Sequence, residues 1–516
     1  MPSVDARAAG RDAVPVPILS AAWRDVVLRA VARFLQSGTL AWAATSFLAC
    51  FAANALFSRY LFWDSFLDLT GGRYVAEHGI PRVDTLTIEA AGEPWINQQW
   101  LAHWIYYEAW AVGGYPALAL LSTALVALAF ALLTALLMRR GVPGQRAVMW
   151  SLLAFAVCAG NTVIRAQSFA YPLIVGLVWL LVDDWERQRL RWWFAAFLPV
   201  LVLWANVHGS VLLAAALFAG YGAVRAARHV WARHWRRGAG YAAVGGLGAL
   251  TPFATPYGFS VLGYYETVLG NATMRRFSLE WTPPSLAYTT SIAFFIFVGL
   301  VVAAVAYAVG RGFRPSPVAA VVATVFLLLA SQAVRNQAWF ALAGAVLAAE
   351  ALARTRPAPP RLPRSVRAAG AGAILVAAVV IGVVVGTTSP SRFETLTPRL
   401  AVAAAAEYAA ANPGAQILAD DWASSALLWR FPATAGRVAY DARLNHYSED
   451  ELARWFSFVT VSGPDWFEAA RGYDVLVASR TDHPTLAGRL ARLHGWRVLH
   501  SDADGIVVVR AEAGRS

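Results

Sequence analysis

The sequence has few charged residues, almost no cysteine and no lysine at all. Only 14% of its 516 residues are charged, whereas 58% are hydrophobic and the mean hydropathy is +0.49. These proportions exclude a soluble globular protein and a disordered chain. The two cysteines, Cys50 and Cys158, both fall in apolar segments, so the chain offers neither a disulfide framework nor a thiolate metal site.

The basic charge is unevenly distributed along the chain. All 43 basic residues are arginines, and the net charge is +12. Residues 390–516 hold 13 arginines against 15 acidic residues, so the positive excess lies entirely before residue 390. Arginines placed between apolar segments are explained by membrane topology, and the charge therefore gives no indication of nucleic-acid binding.

Apolar windows bounded by arginine, proline or aromatic residues recur along the first three quarters of the sequence. Because about 20 apolar residues cross the hydrocarbon core, they predict about eleven transmembrane helices. The expected fold class is an all-α polytopic membrane bundle over residues 40–388. The windows fall at roughly 40–58, 116–138, 147–164, 169–182, 192–206, 209–224, 239–253, 288–309, 317–331, 336–352 and 369–387.

The arginine-bearing loops indicate the orientation of the bundle. They all fall on the same side as the N-terminal segment 1–39, and the positive-inside rule makes that side the cytoplasm. The large first loop 59–103, the loop 254–288 and the tail 389–516 are then outside. The sequence thus predicts a multi-pass protein of the cytoplasmic (inner) membrane.

The tail 389–516 has a different pattern from the rest of the chain. Short β-rich runs alternate with amphipathic helices, which is typical of a small α/β domain. The predicted strands are Gln416–Ala419, Arg437–Tyr440, Asp474–Ala478, Trp496–His500 and Ile506–Val509, and the predicted helices lie near 398–411, 421–430, 448–461 and 482–494.

Charged and histidine side chains are almost absent from the centres of the windows. Ion-coupled transporters usually carry such residues at the midplane, so this absence counts against a pump. The polar residues gather instead at the predicted outer ends, where they line one cavity if the helices form a bundle. The candidates are Asp64, Asp68, Arg165, Gln167, Asn206, His208, Glu280, Arg335, Asn336 and Gln337.

The first loop contains the most informative motifs. Trp63 to Val75 predicts a helix lying at the membrane interface, with Asp64 and Asp68 four residues apart on one face. Two sequence patterns follow, Gly-x₆-Gly-Ile-Pro-Arg-x-Asp over 72–84 and Glu-Pro-Trp-x-x-Gln-Gln-Trp-Leu over 93–101. Leu-Trp-Ala-Asn-Val-His-Gly over 203–209 and Thr-Pro-Phe-x-x-Pro-Tyr-Gly over 251–258 come later.

Together with the acidic loop after the first span, these motifs resemble the bacterial membrane glycosyltransferases of the GT-C superfamily, over most of the chain. The resemblance implies transfer of a sugar from a polyprenyl-phosphate-linked donor to an extracytoplasmic glycan, glycolipid or protein. It also implies that Asp64 is the catalytic or metal-binding carboxylate. Relatives often have His and Glu where this chain has Asp68 and Gln99, so a divalent metal stays open and no cofactor is certain.

The chemistry of such a transfer assigns roles to the other candidates. Asp64 or Asp68 is expected to act as the general base. Arg165 and Arg335 suit the leaving phosphate, because a guanidinium binds two oxygens at once. His208 can donate one hydrogen bond. Two further residues, Asn336 and Glu280, complete the predicted substrate-binding set.

The predicted partners are the lipid-linked donor, membrane lipid and the acceptor, without nucleic acid. Because the sequence contains no Walker or dinucleotide motif, a nucleotide-sugar donor is disfavoured. Two other functions stay open at this point, a flippase or channel for a lipid-linked glycan and a catalytically silent envelope scaffold.

Each functional assignment has a structural alternative. Asp64 is also placed to cap a helix, and Asp68 and Asp84 are typical of a solvated face or a turn. Arg335 is able to reach lipid headgroups, and His208 suits a packed helix end.

Overall fold

The computed structural model describes residues 38–58, 60–187, 192–357, 360 and 363–511. Long apolar helices form a bundle, and the last 120 or so described residues form a small domain with a mixed sheet. Residues 1–37 of the predicted cytoplasmic segment lie outside the described residues.

Each predicted window overlaps one or two of the helices that precede the C-terminal domain, and three further helices, Trp63–His78, Val261–Gly270 and Ala272–Phe277, correspond to no window. The helices of this part of the chain are α1 Thr39–Phe57, α2 Trp63–His78, α3 Trp100–Arg139, α4 Gly144–Cys158, α5 Gln167–Arg187, α6 Trp192–Ala196, α7 Leu198–Val207, α8 Val211–Trp231, α9 Trp235–Leu250, α10 Val261–Gly270, α11 Ala272–Phe277, α12 Thr289–Val309, α13 Pro317–Gln332, α14 Gln337–Thr355 and α15 Arg364–Gly386.

Among the described residues, seven helices are long and apolar enough to cross a membrane, and the chain is a membrane protein. They correspond to α1, α3, α5, α8, α12, α14 and α15. The windows at 147–164, 192–206, 239–253 and 317–331 form the shorter helices α4, α7, α9 and α13. A 15-residue helix extends only about 22 Å, less than the roughly 30 Å hydrocarbon core. The count of about eleven spans is therefore not confirmed.

Helix α2 is held tightly against the beginning of α3 by two glycines. A Cβ at Gly71 would lie 2.6 Å from His103 Nδ1, and a Cβ at Gly72 would lie 2.1 Å from the His103 carbonyl oxygen. The side chains of Phe66 and Leu69 on α2 are fully buried in the same region. This close approach fixes the depth at which the carboxylates of α2 stand.

We expect Gly72→Ala to lower the free energy of unfolding by about 1–3 kcal/mol, because the added methyl group forces α2 away from α3. The measurement is the thermal unfolding midpoint of the protein in detergent. Gly220→Ala is the matched control, since a Cβ on this α8 glycine would have no heavy atom within 4 Å. An unchanged midpoint for Gly72→Ala would show that the helix pair is looser than described.

The C-terminal domain is a four-stranded sheet covered by helices. Its strands are β1 Ile417–Ala419, β2 Val475–Ser479, β3 Trp496–Ser501 and β4 Gly505–Arg510, in the order β1-β2-β4-β3. The pair β1 and β2 is parallel, and the other two pairs are antiparallel. The helices are α16 Pro390–Phe393, α17 Arg399–Ala411, α18 Asp421–Arg430, α19 Glu449–Thr460 and α20 Pro484–Leu490. The segment thus contains a small sheet with helices, in agreement with its predicted α/β pattern.

The predicted strand Arg437–Tyr440 is wrong. Val438 makes only isolated bridges, to Ile417 on one side and to Thr87 of the first loop on the other. The amide of Ile88 donates to the Val438 carbonyl oxygen at 2.9 Å. The segment therefore connects β1 to the first loop and does not form a regular strand.

A buried ion-pair network strengthens this junction. Arg443 Nη2 lies 2.6 Å from Asp84 Oδ2, and Arg443 Nε donates to Asp441 Oδ2 at 2.7 Å. The guanidinium also lies over the ring of Trp95, 4.4 Å from its centroid. Asp84 is only 2% exposed, so the solvated-face interpretation is wrong for it, and its Oδ1 accepts the amide of Leu86 as a turn residue does.

Candidate functional site

A cavity of about 520 Å³ lies where α2, the start of α8 and the C-terminal domain meet. Residues 165–167 and the short helical turns 279–281 and 334–336 complete its rim. The structure brings all seven predicted site residues to this cavity, namely Asp64, Asp68, Arg165, His208, Glu280, Arg335 and Asn336.

The cavity is polar at one end and apolar along its walls. Aliphatic and aromatic side chains contributed by α8, α10, α13 and α14 include Leu212, Leu213, Ala216, Leu269, Leu329 and Trp339. The C-terminal domain adds Ala442, Leu444 and Asn445, whose loop contains the buried Arg443. A space of this kind fits a molecule with a polar head and an apolar chain.

Arg165 stands between two carboxylates at the polar end. Its Nη1 lies 3.5 Å from Asp64 Oδ2 and forms a closer ion pair with Glu280 Oε1. The Arg165 side chain is buried, whereas about a third of the Asp64 and Glu280 side chains is exposed. Asp64 makes no side-chain cap for α2, so the capping alternative does not apply.

The environment separates the pKa values of these two carboxylates. Burial raises the pKa of Asp64 to about 6, even though the charge of Arg165 opposes the shift. Burial also acts on Glu280, but there the charges of Arg165 and Arg335 outweigh it, and the pKa of Glu280 is lowered. Glu280 therefore stays ionised as the partner of Arg165. Asp64, with a pKa of about 6, is ionised at neutral pH and is more basic than an ordinary aspartate, which suits a general base.

Arg335 is the second guanidinium of the cavity. It lies over the ring of Trp281, with its Cζ 4.4 Å from the ring centroid. Among the described residues no carboxylate lies within ion-pair distance of it, in contrast to Arg165. Its neighbour Asn336 donates through Nδ2 to the Leu329 carbonyl oxygen at 3.1 Å and so ends α13. Arg335 is thus the cation available to an anionic ligand.

His208 follows α7 and is neutral at physiological pH. Burial, together with the charges of Arg335 and Arg165, lowers its pKa to about 3. Its Nδ1 accepts the backbone amide of Ser210 at 3.1 Å, so the ring proton is on Nε2. The hydroxyl of Ser210 is held in turn by Trp204 Nε1 at 2.9 Å. The residue both ends a helix and offers one N–H donor to the cavity.

The sequence analysis missed His103 as a member of the site. His103 Nε2 donates to Asp68 Oδ1 at 3.1 Å, and both side chains are buried and line the cavity. Asp68 is 3% exposed, so the solvated-face interpretation is wrong for it as well. Burial raises the pKa of Asp68, and the hydrogen bond from His103 opposes that shift. One signal was available, because His103 is the single histidine in the apolar sequence 96–140.

The cavity does not fit a divalent metal ion. Among the described residues no group of three or more His, Cys, Asp or Glu side chains is placed to hold one. Asp64 and Glu280 face the same guanidinium nitrogen, and Asp68 is engaged by His103. Arg165 thus lies where a cation between these carboxylates would be.

Known proteins resemble the chain in structure and not in sequence. No protein-family model matches it, and no curated protein matches its sequence. The crystal structure of the Archaeoglobus fulgidus oligosaccharyltransferase in the apo form matches with a TM-score of 0.52, at 10% identity, over 93% of this chain and 75% of that chain. The chain has the GT-C fold.

Two further GT-C structures resemble the chain more weakly. ArnT from Cupriavidus metallidurans bound to undecaprenyl phosphate matches with a TM-score of 0.45, at 15% identity, over 96% of this chain and 99% of that one. The apo state of the same protein matches at 0.46 and 14% identity, with 95% and 98% of the two chains covered. The predicted GT-C resemblance is confirmed for the fold, and the roles of the cavity residues stay predictions.

Proposed function

We propose that the protein is a membrane glycosyltransferase that moves a sugar from a polyprenyl-phosphate-linked donor to an acceptor outside the cytoplasmic membrane. The observation that supports this most is the set of residues that line the cavity. It contains a carboxylate with a raised pKa, Asp64, and a guanidinium, Arg335, that has no carboxylate partner in the part of the chain that the structure describes. Apolar side chains form its walls.

The proposed reaction is a displacement at the anomeric carbon of the donor. The acceptor hydroxyl forms the new C–O bond, and Asp64 takes its proton. The bond between the sugar and the phosphate breaks, and its electron pair leaves with the polyprenyl phosphate. A positioned base contributes typically 10²–10⁴-fold to such a step.

Arg335 and His208 serve the leaving group in this proposal. The guanidinium offers paired N–H donors to two phosphate oxygens, and the Nε2–H of His208 offers a third. Because His208 is neutral, it donates a hydrogen bond to the phosphate. A second positive charge at this place would bind the leaving phosphate more tightly. The apolar walls accept the polyprenyl chain, which keeps the phosphate at the polar end.

Arg165 and Glu280 position the base in this scheme. Burial and, to a smaller extent, the negative charge of Glu280 raise the pKa of Asp64 against the opposing charge of Arg165. The same guanidinium fixes the orientation of the Asp64 carboxylate. Positive charge comes from side chains, and we propose that the reaction needs no divalent metal.

The proposal requires the cavity to open outside the cytoplasm. We expect Val83→Cys, in the first loop at 45% exposure, to react with a membrane-impermeant maleimide in intact cells. Trp231→Cys, at the end of α8 and 91% exposed, should react only after permeabilisation. Both native cysteines are buried, so background labelling is low. The reverse labelling pattern would reject this orientation.

A transfer assay tests the function itself. Purified protein in nanodiscs receives undecaprenyl-phosphate-linked glucose, mannose or galactose carrying a radioactive sugar, with envelope extract as the acceptor. Label recovered in acceptor material, with release of undecaprenyl phosphate, supports the proposal. Unchanged lipid in every case rejects it. Movement of intact lipid between leaflets of proteoliposomes, without a covalent product, would replace it with the flippase alternative.

A further inference from the structure

Several buried polar atoms around the cavity have no hydrogen-bond partner among the described residues. They include five atoms of three residues, namely Asp68 Oδ2, both amide atoms of Gln167, and Nε and Nη2 of Arg165. Gln167 and Asp68 are each 3% exposed, and all three residues line the cavity. Since most buried polar groups in proteins are paired, five such atoms on the lining of one cavity indicate a ligand that completes them.

These atoms belong to residues that lie near the proposed base. Asp68 is one turn after Asp64 on α2, and Gln167 is two residues after Arg165. The charge of Arg165 acts on both aspartates. The bond from His103 to Asp68 Oδ1 fixes that carboxylate and leaves Oδ2 as the free acceptor.

The mixture of donors and acceptors indicates the chemical class of the ligand. Asp68 Oδ2 and Gln167 Oε1 only accept hydrogen bonds, whereas Gln167 Nε2 and the two Arg165 nitrogens only donate. A phosphate oxygen accepts and cannot satisfy the first pair. An ammonium group donates and is repelled by the Arg165 guanidinium. A hydroxyl group both donates and accepts, so neighbouring hydroxyls of an uncharged sugar satisfy both sets.

We propose that Asp68, Gln167 and the free edge of Arg165 form a subsite for the hydroxyl groups of a neutral sugar, held next to Asp64. This inference rests on the proposed function and deepens it, because it names the class of sugar. In it Asp68 binds the substrate and Asp64 alone serves as the base. His103 is a positioning residue that acts through Asp68.

The test compares the binding of defined lipids to the full-length protein in nanodiscs. The probes are undecaprenyl phosphate alone and the same lipid carrying glucose, mannose, galactose or glucosamine with a free amino group. We expect at least one neutral sugar lipid to bind more tightly than the bare lipid. Gln167→Leu should weaken the binding of that sugar lipid about tenfold, since two hydrogen bonds are lost. The binding of undecaprenyl phosphate should stay unchanged.

Gln337→Leu is the matched control for this variant. Gln337 is also a buried glutamine with an unpartnered Oε1, but it does not line the cavity. If Gln167→Leu does not fold, Asp68→Asn replaces it, and the expected loss is again confined to the sugar lipids.

Three results would overturn the inference. They are equal binding of every lipid, tightest binding of the glucosamine lipid, or equal weakening of sugar lipid and bare lipid by Gln167→Leu. The proposed function has a separate readout. Arg335→Ala should weaken the binding of undecaprenyl phosphate itself, whether or not Gln167→Leu has an effect.

Discussion

Asp64→Asn lowers the rate of sugar transfer by about 10²–10⁴-fold, because asparagine cannot take the proton of the acceptor hydroxyl. The substitution keeps the size of the side chain, so we expect binding of undecaprenyl phosphate and the unfolding midpoint to stay close to those of the unchanged protein. The measurement is the single-turnover rate with a radioactive sugar lipid.

The pH dependence supplies a second readout for Asp64. The base is the ionised form, and its pKa is raised to about 6. The rate should therefore be level above pH 7 and fall about tenfold per pH unit below pH 6, as the carboxylate takes up a proton. The residual rate of the Asp64→Asn variant should not fall in this way below pH 6.

Asp183→Asn is the matched control for Asp64. Asp183 also faces an arginine, with Arg139 Nε at 3.2 Å from its Oδ1, but it does not line the cavity. The transfer rate of the Asp183→Asn variant should match that of the unchanged protein. Full activity of Asp64→Asn, or a pH profile identical to the original, would remove Asp64 from the role of base.

Arg335→Ala is expected to weaken the binding of undecaprenyl phosphate and to lower the transfer rate by about 10²–10³-fold, the usual cost of losing a donor to a developing anion. Arg335→Lys should recover only part of the loss, because lysine cannot offer a planar pair of donors or stack on Trp281 in the same way. Binding affinity and the rate at saturating lipid are measured separately.

Arg82→Ala controls for the loss of an arginine stacked on an aromatic ring. Arg82 lies over Tyr257, 5.2 Å from the ring centroid, and does not line the cavity. It should leave both measurements unchanged. If Arg335→Ala binds undecaprenyl phosphate as well as the original protein does, the phosphate is held elsewhere in the cavity or not at all.

The grouping of the seven candidate residues was predictable from sequence for a simple physical reason. Residues at the same end of successive apolar segments lie at similar depth, and a bundle brings such ends together. Asp64, Arg165, His208 and Arg335 each follow an apolar window, so their shared end of the bundle could be inferred without knowing which helices are neighbours.

The pairing inside the site was not predictable in the same way. Arg165 and Arg335 look equivalent in the sequence, yet one is engaged by two carboxylates and the other lies over Trp281. Which partner a side chain finds depends on helix contacts that no local pattern records. The glycines that bring α2 against His103 are an example, because the effect of Gly72 depends on a helix 30 residues away.

The number of spans was the least predictable feature of the fold. Hydropathy identifies an apolar segment but not the length of the helix that it forms. Helices α4, α9 and α13 have only 15 or 16 residues each, fewer than the roughly 20 that cross the hydrocarbon core. The segment predicted as strand 437–440 does lie between β1 and the first loop, but Val438 makes only isolated bridges to Ile417 and Thr87, which the local sequence does not reveal.

The junction between the first loop and the C-terminal domain has a consequence for biogenesis. Thr87 and the Tyr447 hydroxyl that donates to it are 360 residues apart in sequence. At 5–20 residues per second a ribosome needs on the order of tens of seconds to pass from one to the other. The growing polypeptide therefore lacks one wall of the cavity until synthesis is nearly complete, because Ala442, Leu444 and Asn445 are added last. Premature termination before residue 440 yields a fragment in which this wall is missing.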